Sequence, residues 1–377
     1  MKKKALIPSI LGAAVFLTGL LCQWYTFLHQ EGLGLFLLTP DYLRECFDSP
    51  LPLCNLAGSF IVQFYDIALV GPAVTAVLVV LTWLCAAALC RRITGWWRIP
   101  ATVLACTAWW FIARADGPAT AVCILACSAV VALVAMLSHI KEERTDRHII
   151  PASLGIIAVA CVLVAFNPSV RKTEQISRLE HFTRNHEWNK VLKTATPKAC
   201  TTDRTLLPYA MLALNAQGRL TADMGRYPVR KPEDLDMEGV QTREGYWFSS
   251  LLCECLGCPN EAIHLLFQSG CHLPHGTSHM MLRQLIRYNI ELGNYTMVRK
   301  YAEVLSRSLR NRAAARKIME MYGSLDDVDP DPGRSSAEAA VITNNPIFNI
   351  VNMYREGLES PIMEDRMNAY GMLGQGE

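Results

Sequence analysis

Charge is scarce in this sequence. Only 19% of its 377 residues are Asp, Glu, Lys or Arg, 51% are hydrophobic, and the formal net charge is +2. That balance suits an apolar membrane region joined to an ordinary soluble domain. Residues 171–377 hold 25 Lys plus Arg and 25 Asp plus Glu. A neutral soluble half argues against nucleic acid, whose phosphates need a basic stripe, and gives as little support to a polyanionic substrate.

Catalytic signatures are missing as well. There is no Gly-rich phosphate loop and no nucleophile elbow. No transporter-like set of acids lies inside the apolar stretches. Arg114 and Asp116 stand at the end of one stretch, where snorkelling accounts for them. No cofactor is called for. No small-x-small cleavage site follows the first apolar stretch, where Gln23, Trp24 and Tyr25 come instead. Leu21 before Cys22 is too large for lipoprotein processing. The stretch therefore reads as an uncleaved anchor, with Trp24 and Tyr25 in the interfacial belt.

Long apolar runs are abundant. Five fill the first 170 or so residues: Ala5–Leu28, Val70–Leu89, Ile99–Ala115, Ala119–His139 and Ile149–Phe166. Runs of this length suit a hydrocarbon core of about 30 Å at 1.5 Å per residue. Lys2, Lys3 and Lys4 precede the first run, Arg91, Arg92 and Arg98 follow the second, and Lys141, Arg144 and Arg147 follow the fourth. The intervening loop carries Glu31, Asp41, Glu45, Asp48 and Asp66 against Arg44. The positive-inside rule then places the N-terminus in the cytosol and, after five crossings, everything beyond Asn167 outside. Leu51–Tyr65 is apolar but holds Gln63 and precedes Asp66. A crossing there would reverse the charge pattern, so a re-entrant or interfacial helix is expected.

Beyond Asn167-Pro168 the pattern becomes amphipathic helix pairs turning at Gly or Asn. Tyr246–Leu256 leads through Gly257-Cys258-Pro259-Asn260 into Glu261–Phe267. His279–Leu292 leads through Gly293-Asn294-Tyr295 into Thr296–Leu309. Gly257 and Gly293 are 36 residues apart, and Gly218 lies 39 before Gly257. Such periods indicate stacked helical hairpins, about four of them, with Ala262 and Ala302 as small contact residues. An earlier helix pair, Glu174–Ala195, turns near Asn185-His186-Glu187. The expected fold is all-α: about five transmembrane helices followed by a tetratricopeptide-like hairpin array. The expected domains are a transmembrane domain over 1–168 with external loop 29–69, the array over 169–323, an acidic Pro-rich linker over 324–336, and a C-terminal helical cap or tail over 337–377. Within that tail, Asn349–Gly357 and Met363–Leu373 read as a last hairpin.

Few residues carry chemistry. Cys253, Cys255 and Cys258, followed by Cys271, His272, His275 and His279, have the ligand types of a zinc site. Cys253 and Cys255, however, stand about 200° apart around a helix and cannot both enter one tetrahedron. Core packing comes first, a disulfide involving Cys258 or Cys271 second, and metal last; no metal site is assigned. Cys46 and Cys54 flank Pro50 and Pro52 in the external loop and read equally as a bridge or as two thiols. Arg299, Lys300, Arg307, Arg310, Arg312, Arg316 and Lys317 could form a basic stripe, with a solvated helix face the simpler reading.

The pattern of apolar spans followed by HEWNKVLKTA, YAMLALNAQGRL and LGNYTMVRKYAEVL resembles a family of bacterial multi-pass membrane proteins of unknown function whose C-terminal half is tetratricopeptide-like. The segment GSFIVQFYDIALVGPAV resembles that family's membrane half. The resemblance implies an inner-membrane location and supplies no activity. The reading that follows is a membrane-anchored interaction module, with the lipid bilayer and an envelope protein as partners. Its expected groove is lined by Arg243, Tyr246, Trp247, His279, Arg283 and Arg287 on the first helices of the hairpins. The alternative is a membrane glycosyl or lipid-linked oligosaccharide transferase, or a remnant of one, using Asp66 and the loop Glu31–Asp66.

Overall fold

A computed structural model describes residues 2–94, 96–115, 117–135, 148–230, 234–235, 242–329 and 333–347. The expected last hairpin at 349–357 and 363–373, and parts of the loop between Gly225 and Glu244, lie outside these residues. Among the described residues every regular element is helical. The chain divides into two compact units, 1–174 with 307–310, and 175–306 with 311–377.

The first unit contains α1 (Lys2–Cys22), α2 (Trp24–Leu33), α3 (Pro40–Asp48), α4 (Pro52–Val62), α5 (Val70–Ile93), α6 (Arg98–Ile112), α7 (Ala119–Ala135), α8 (Ile149–Ala165) and the start of α9 (Pro168–Arg184). Among the described residues, two helices are long and apolar enough to cross a bilayer, over Ala5–Cys22 and Val70–Arg91. A third is obtained if α8 and α9, bent by 50° where they meet, count as one broken span. Asn167 makes that break: its Oδ1 accepts from the Ser169 and Val170 amides, and Pro168 fills the first helical position. The expected spans at 99–115, 119–139 and 149–166 correspond to apolar helices of 15, 17 and 17 described residues. The first span is shorter than its hydropathy suggests. It stops at Cys22, because buried Gln23 leaves the helix and donates through Nε2 to the Ala113 carbonyl at 2.9 Å.

Small side chains let these helices close on one another. Ala76, Ala86 and Ala87 of α5 and Ala101 and Ala105 of α6 are buried with Ile7, Leu11 and Val15 of α1, Trp83 of α5, Trp109 of α6 and Val164 of α8. Trp83 keeps its indole N–H satisfied by donating to Thr102 Oγ1 at 3.1 Å. The segment 51–65 forms α4, which packs on α7. At Gly58 an added Cβ would lie 2.6 Å from the Ala119 Cα, so the contact is backbone on backbone.

The second unit continues through α10 (Trp188–Thr194), α11 (Pro197–Thr202), α12 (Leu207–Ala216), α13 (Leu220–Asp223), α14 (Arg243–Cys255), α15 (Pro259–Gly270), α16 (His279–Leu292), α17 (Tyr295–Ser306), α18 (Arg312–Tyr322) and α19 (Arg334–Asn344). Starts are capped by side chains. Thr196, Thr242 and Ser278 accept from the Ala199, Gly245 and Met281 amides. Stops recur in one form. At Gly218, Gly257 and Gly293 the backbone turns left-handed, with φ of 67°, 73° and 73°. Each stop closes with a pair of amide-to-carbonyl bonds, such as Asn294 to Asn289 at 2.8 Å and Gly293 to Ile290 at 3.1 Å. A fourth stop has the same bonds, Glu187 to Phe182 and His186 to Thr183, both 2.9 Å, but places His186 at φ 55°. A non-glycine there costs about 1–2 kcal/mol; the His186 ring packs edge-on against Trp188, 5.3 Å between centroids.

The core of this unit runs from Leu179 of α9 and Val191 of α10 through Leu207, Met211 and Leu214 of α12 to Phe248 and Leu252 of α14, and includes Ile347 near its end. The acidic stretch expected as a linker is instead laid against the α16–α17 turn. Val328 donates to the Gly293 carbonyl at 2.9 Å, and Asp327 Oδ1 accepts from the Thr296 amide at 2.7 Å. Asp327 thereby satisfies an orphan N–H at the start of α17, and that bond holds its carboxyl below the usual range. Helix α19 begins inside the expected linker and caps α15: Glu338 accepts from the Asn260 amide and side chain at 3.1 and 3.0 Å.

Candidate functional site

The six residues expected to line a groove are dispersed. Arg243 pairs with its neighbour Glu244, and Tyr246 stacks on His272 with 5.9 Å between ring centroids. Arg283 donates to Asn311 Oδ1 at 3.1 Å. Trp247 and His279 are buried in the core rather than displayed. Trp247 and Arg287 alone of the six join a common cluster, a polar seam between helices α9, α12, α14 and α16.

The seam is built by residues far apart in sequence. Arg184 of α9 lies over the Trp247 ring, its guanidinium carbon 4.5 Å from the centroid. The Tyr209 hydroxyl of α12 donates to Glu180 of α9 at 3.4 Å. The Tyr288 hydroxyl of α16 donates to Glu254 of α14 at 2.5 Å, and Arg287 pairs with the other oxygen of the same carboxylate. Burial draws the Arg184 guanidinium below its ordinary value, with Glu180 opposing, and pushes the Tyr209 phenol well up. Burial also raises Cys255 to about 12, so it stays a thiol and no nucleophile is generated there. The void beside Arg184, Trp247, Glu254 and Tyr288 is about 10 Å³, too small for an organic ligand. The seam joins helices.

The other sequence candidates are equally occupied by structure. Cys46, Cys54, Cys258 and Cys271 are all thiols. Cys54 lies beside Cys123 of α7, whereas Cys46 is buried next to Tyr42 of its own helix, an arrangement that fits the two-thiol reading of this pair. Cys258 Sγ faces the Leu256 and Glu338 carbonyls, each at 3.9 Å, and burial lifts it to about 11. Among the described residues no three or more His, Cys, Asp or Glu converge as a metal would need. Residues 307–310 belong to the first unit, where Arg310 clamps Asp66 through Nε at 3.1 Å and Nη2 at 2.8 Å. Arg299 donates through Nη1 to the Gly323 and Leu325 carbonyls and through Nη2 to Thr296 Oγ1, and Arg312 donates to the Ser306 carbonyl, so the basic run is not one open stripe.

Two cavities have no counterpart in any sequence motif. One of about 580 Å³ lies between α6 and α8, walled by Val103, Cys106, Trp110, Ile156, Val159 and Leu163; its lining is almost wholly apolar. Another of about 490 Å³ lies in the second unit between α10, α12 and α13, with Lys193, Arg219, Asp223, Arg226 and Tyr227 in its wall. Its cations are separated in sequence by hairpin turns, which hides them from any linear motif.

The sequence pattern of the family of unknown function DUF6057 matches residues 2–168 and 118–359. The chain belongs to that family. No curated protein and no solved structure matches it. For this DUF6057 member the site chemistry thus rests on its own geometry: a polar seam in which the buried Trp247 indole N–H has no hydrogen-bond partner among the described residues, buried thiols, and a cavity with both charge and apolar wall.

Proposed function

We propose that this DUF6057 member is a membrane-anchored interaction module of the bacterial inner membrane. In this reading the apolar helices make five crossings, the N-terminus is cytosolic, and a tetratricopeptide-like array stands outside to hold an envelope protein. The recurring helix stop carries the reading: the same left-handed turn with the same two hydrogen bonds closes helices at His186, Gly218, Gly257 and Gly293. Repeated hairpins of this kind build extended surfaces suited to protein segments. The bidentate hold of Arg310 on Asp66 weighs against that acid as a proton carrier in a transferase, because both its oxygens are engaged.

Two measurements test it. A reporter active only outside the cytosol, fused after Glu377, should be active; a silent fusion there with an active one near Arg92 reverses the topology. Cross-linking in cells, with the full chain compared against one ending at Ser169 at equal membrane abundance, should recover envelope proteins that vanish on truncation. Recovery of the same species from both chains refutes an interaction role for the array.

A further inference from the structure

The 490 Å³ cavity of the second unit combines features that the polar seam and the apolar cavity each lack. It is open to the exterior, carries charge, and has an apolar floor. Leu214 of α12, 2% exposed, forms part of that floor, and the half-buried Tyr227 ring forms a side. Lys193 stands exposed at the end of α10. Asp223 arranges the other two cations: one carboxylate oxygen takes Arg219 at 2.5 Å and the other takes Arg226 at 3.2 Å. The Asp223 side chain is 12% exposed while those of Arg219 and Arg226 are 52% and 68% exposed. The acid is therefore the inner brace and the guanidiniums are the presented groups.

With three cations against one carboxylate, the cavity wall carries a local charge of +2 within a soluble half that is neutral overall. A local positive spot in an open groove suits a single anionic group that can reach its three cations. Nucleic acid and anionic bilayers favour extended basic faces instead. The planar forks of two braced arginines match a carboxylate, and the ~490 Å³ volume falls in the ~300–1,000 Å³ range of small-ligand pockets. We propose that this cavity binds an acidic peptide segment, a Glu or Asp carboxylate meeting Lys193, Arg219 and Arg226 while an aliphatic neighbour packs on Leu214 and Tyr227. The assignment rests on the interaction reading above and names the chemistry of its partner.

The test uses the full-length protein in nanodiscs and a fluorescein-labelled octapeptide alternating Glu and Leu, followed by fluorescence anisotropy. The acidic peptide should bind, the matching Gln and Leu peptide should not, and affinity should fall as salt rises. Lys193→Ala and Arg226→Ala should each weaken binding roughly tenfold, the loss of one charge-assisted hydrogen bond. Arg226→Lys, which keeps the charge but not the fork, should fall between. Equal binding of the Gln peptide overturns the proposal, as does unchanged affinity in the Lys193→Ala and Arg226→Ala proteins with unchanged thermal transitions. Binding of dioctanoyl phosphatidylglycerol without binding of the peptide overturns it in favour of a lipid headgroup. Failure of the peptide to bind while envelope proteins are still captured in cells removes the cavity assignment alone. Peptide binding in nanodiscs with no protein lost on truncation removes the interaction reading alone.

Discussion

Replacing Glu254 by alanine is expected to lower the thermal midpoint of the second unit by roughly 5–10 °C, the drop that about 2–3 kcal/mol produces at this size. The carboxylate is the node where α14 and α16 are tied. Its side chain is 10% exposed, it accepts from the Tyr288 hydroxyl at 2.5 Å, and it pairs with Arg287. Arg287 is 48% exposed and can return to water, so the ion pair itself contributes little. Most of the cost comes from Tyr288, which is 2% exposed and whose phenol burial already pushes up. Without Glu254 a buried hydroxyl loses its acceptor. Glu254→Gln keeps an acceptor and loses the charge, and should cost about 1 kcal/mol. The decisive measurement is a double-mutant cycle with Tyr288→Phe in the full-length protein, followed by thermal unfolding. A coupling of roughly 1–2 kcal/mol is expected; strictly additive losses would show that the two side chains do not share one interaction.

The seam illustrates what the sequence could and could not disclose. Gly218, Gly257 and Gly293 were visible because a left-handed helix stop favours glycine and the spacing repeats. The equivalent stop at His186 was marked only by its polar neighbours, since a histidine, though commoner at positive φ than most side chains, takes it far less readily than glycine. The apolar runs were legible as runs, but hydropathy averages over a single polar residue, and Gln23 breaks the first helix by bonding to Ala113, 90 positions away. The acidic segment after Ser324 has linker composition. Its hold on the α16–α17 turn depends on Asp327 meeting an N–H left over at the start of α17, which composition does not encode. Glu180, Arg184, Tyr209 and Glu254 read as ordinary helix-face polar residues until packing brings them together. Lys193, Arg219 and Arg226 are hidden for the same reason. Trp247 and His279 stand on first helices, which the hairpin pattern assigns to a display surface, whereas both are buried.

Gly58→Leu is expected to separate α4 from α7, an effect larger than any surface change in the first unit. A Cβ at position 58 would lie 2.6 Å from the Ala119 Cα and 2.7 Å from its Cβ and N. Two of those three are backbone atoms at the start of α7, which cannot swing aside as a side-chain tip can. Even Gly58→Ala should cost about 1–3 kcal/mol by overpacking, and a leucine cannot be accommodated without withdrawing α4. Cys54, one turn before Gly58, lies beside Cys123, one turn into α7, and reports the contact directly. In native membranes, mild oxidation should join Cys54 to Cys123 in the parent chain, identified by mass spectrometry of the linked peptides, and the yield should collapse in Gly58→Leu. Gly155→Ala, whose added Cβ meets nothing within 4 Å, should leave the yield unchanged. Ala119→Gly placed on Gly58→Leu should restore little, because it removes one of the three close atoms and leaves the backbone pair. An undiminished Cys54–Cys123 link in Gly58→Leu would mean that α4 does not depend on this close approach, and that the segment 51–65 is held by its other neighbours alone.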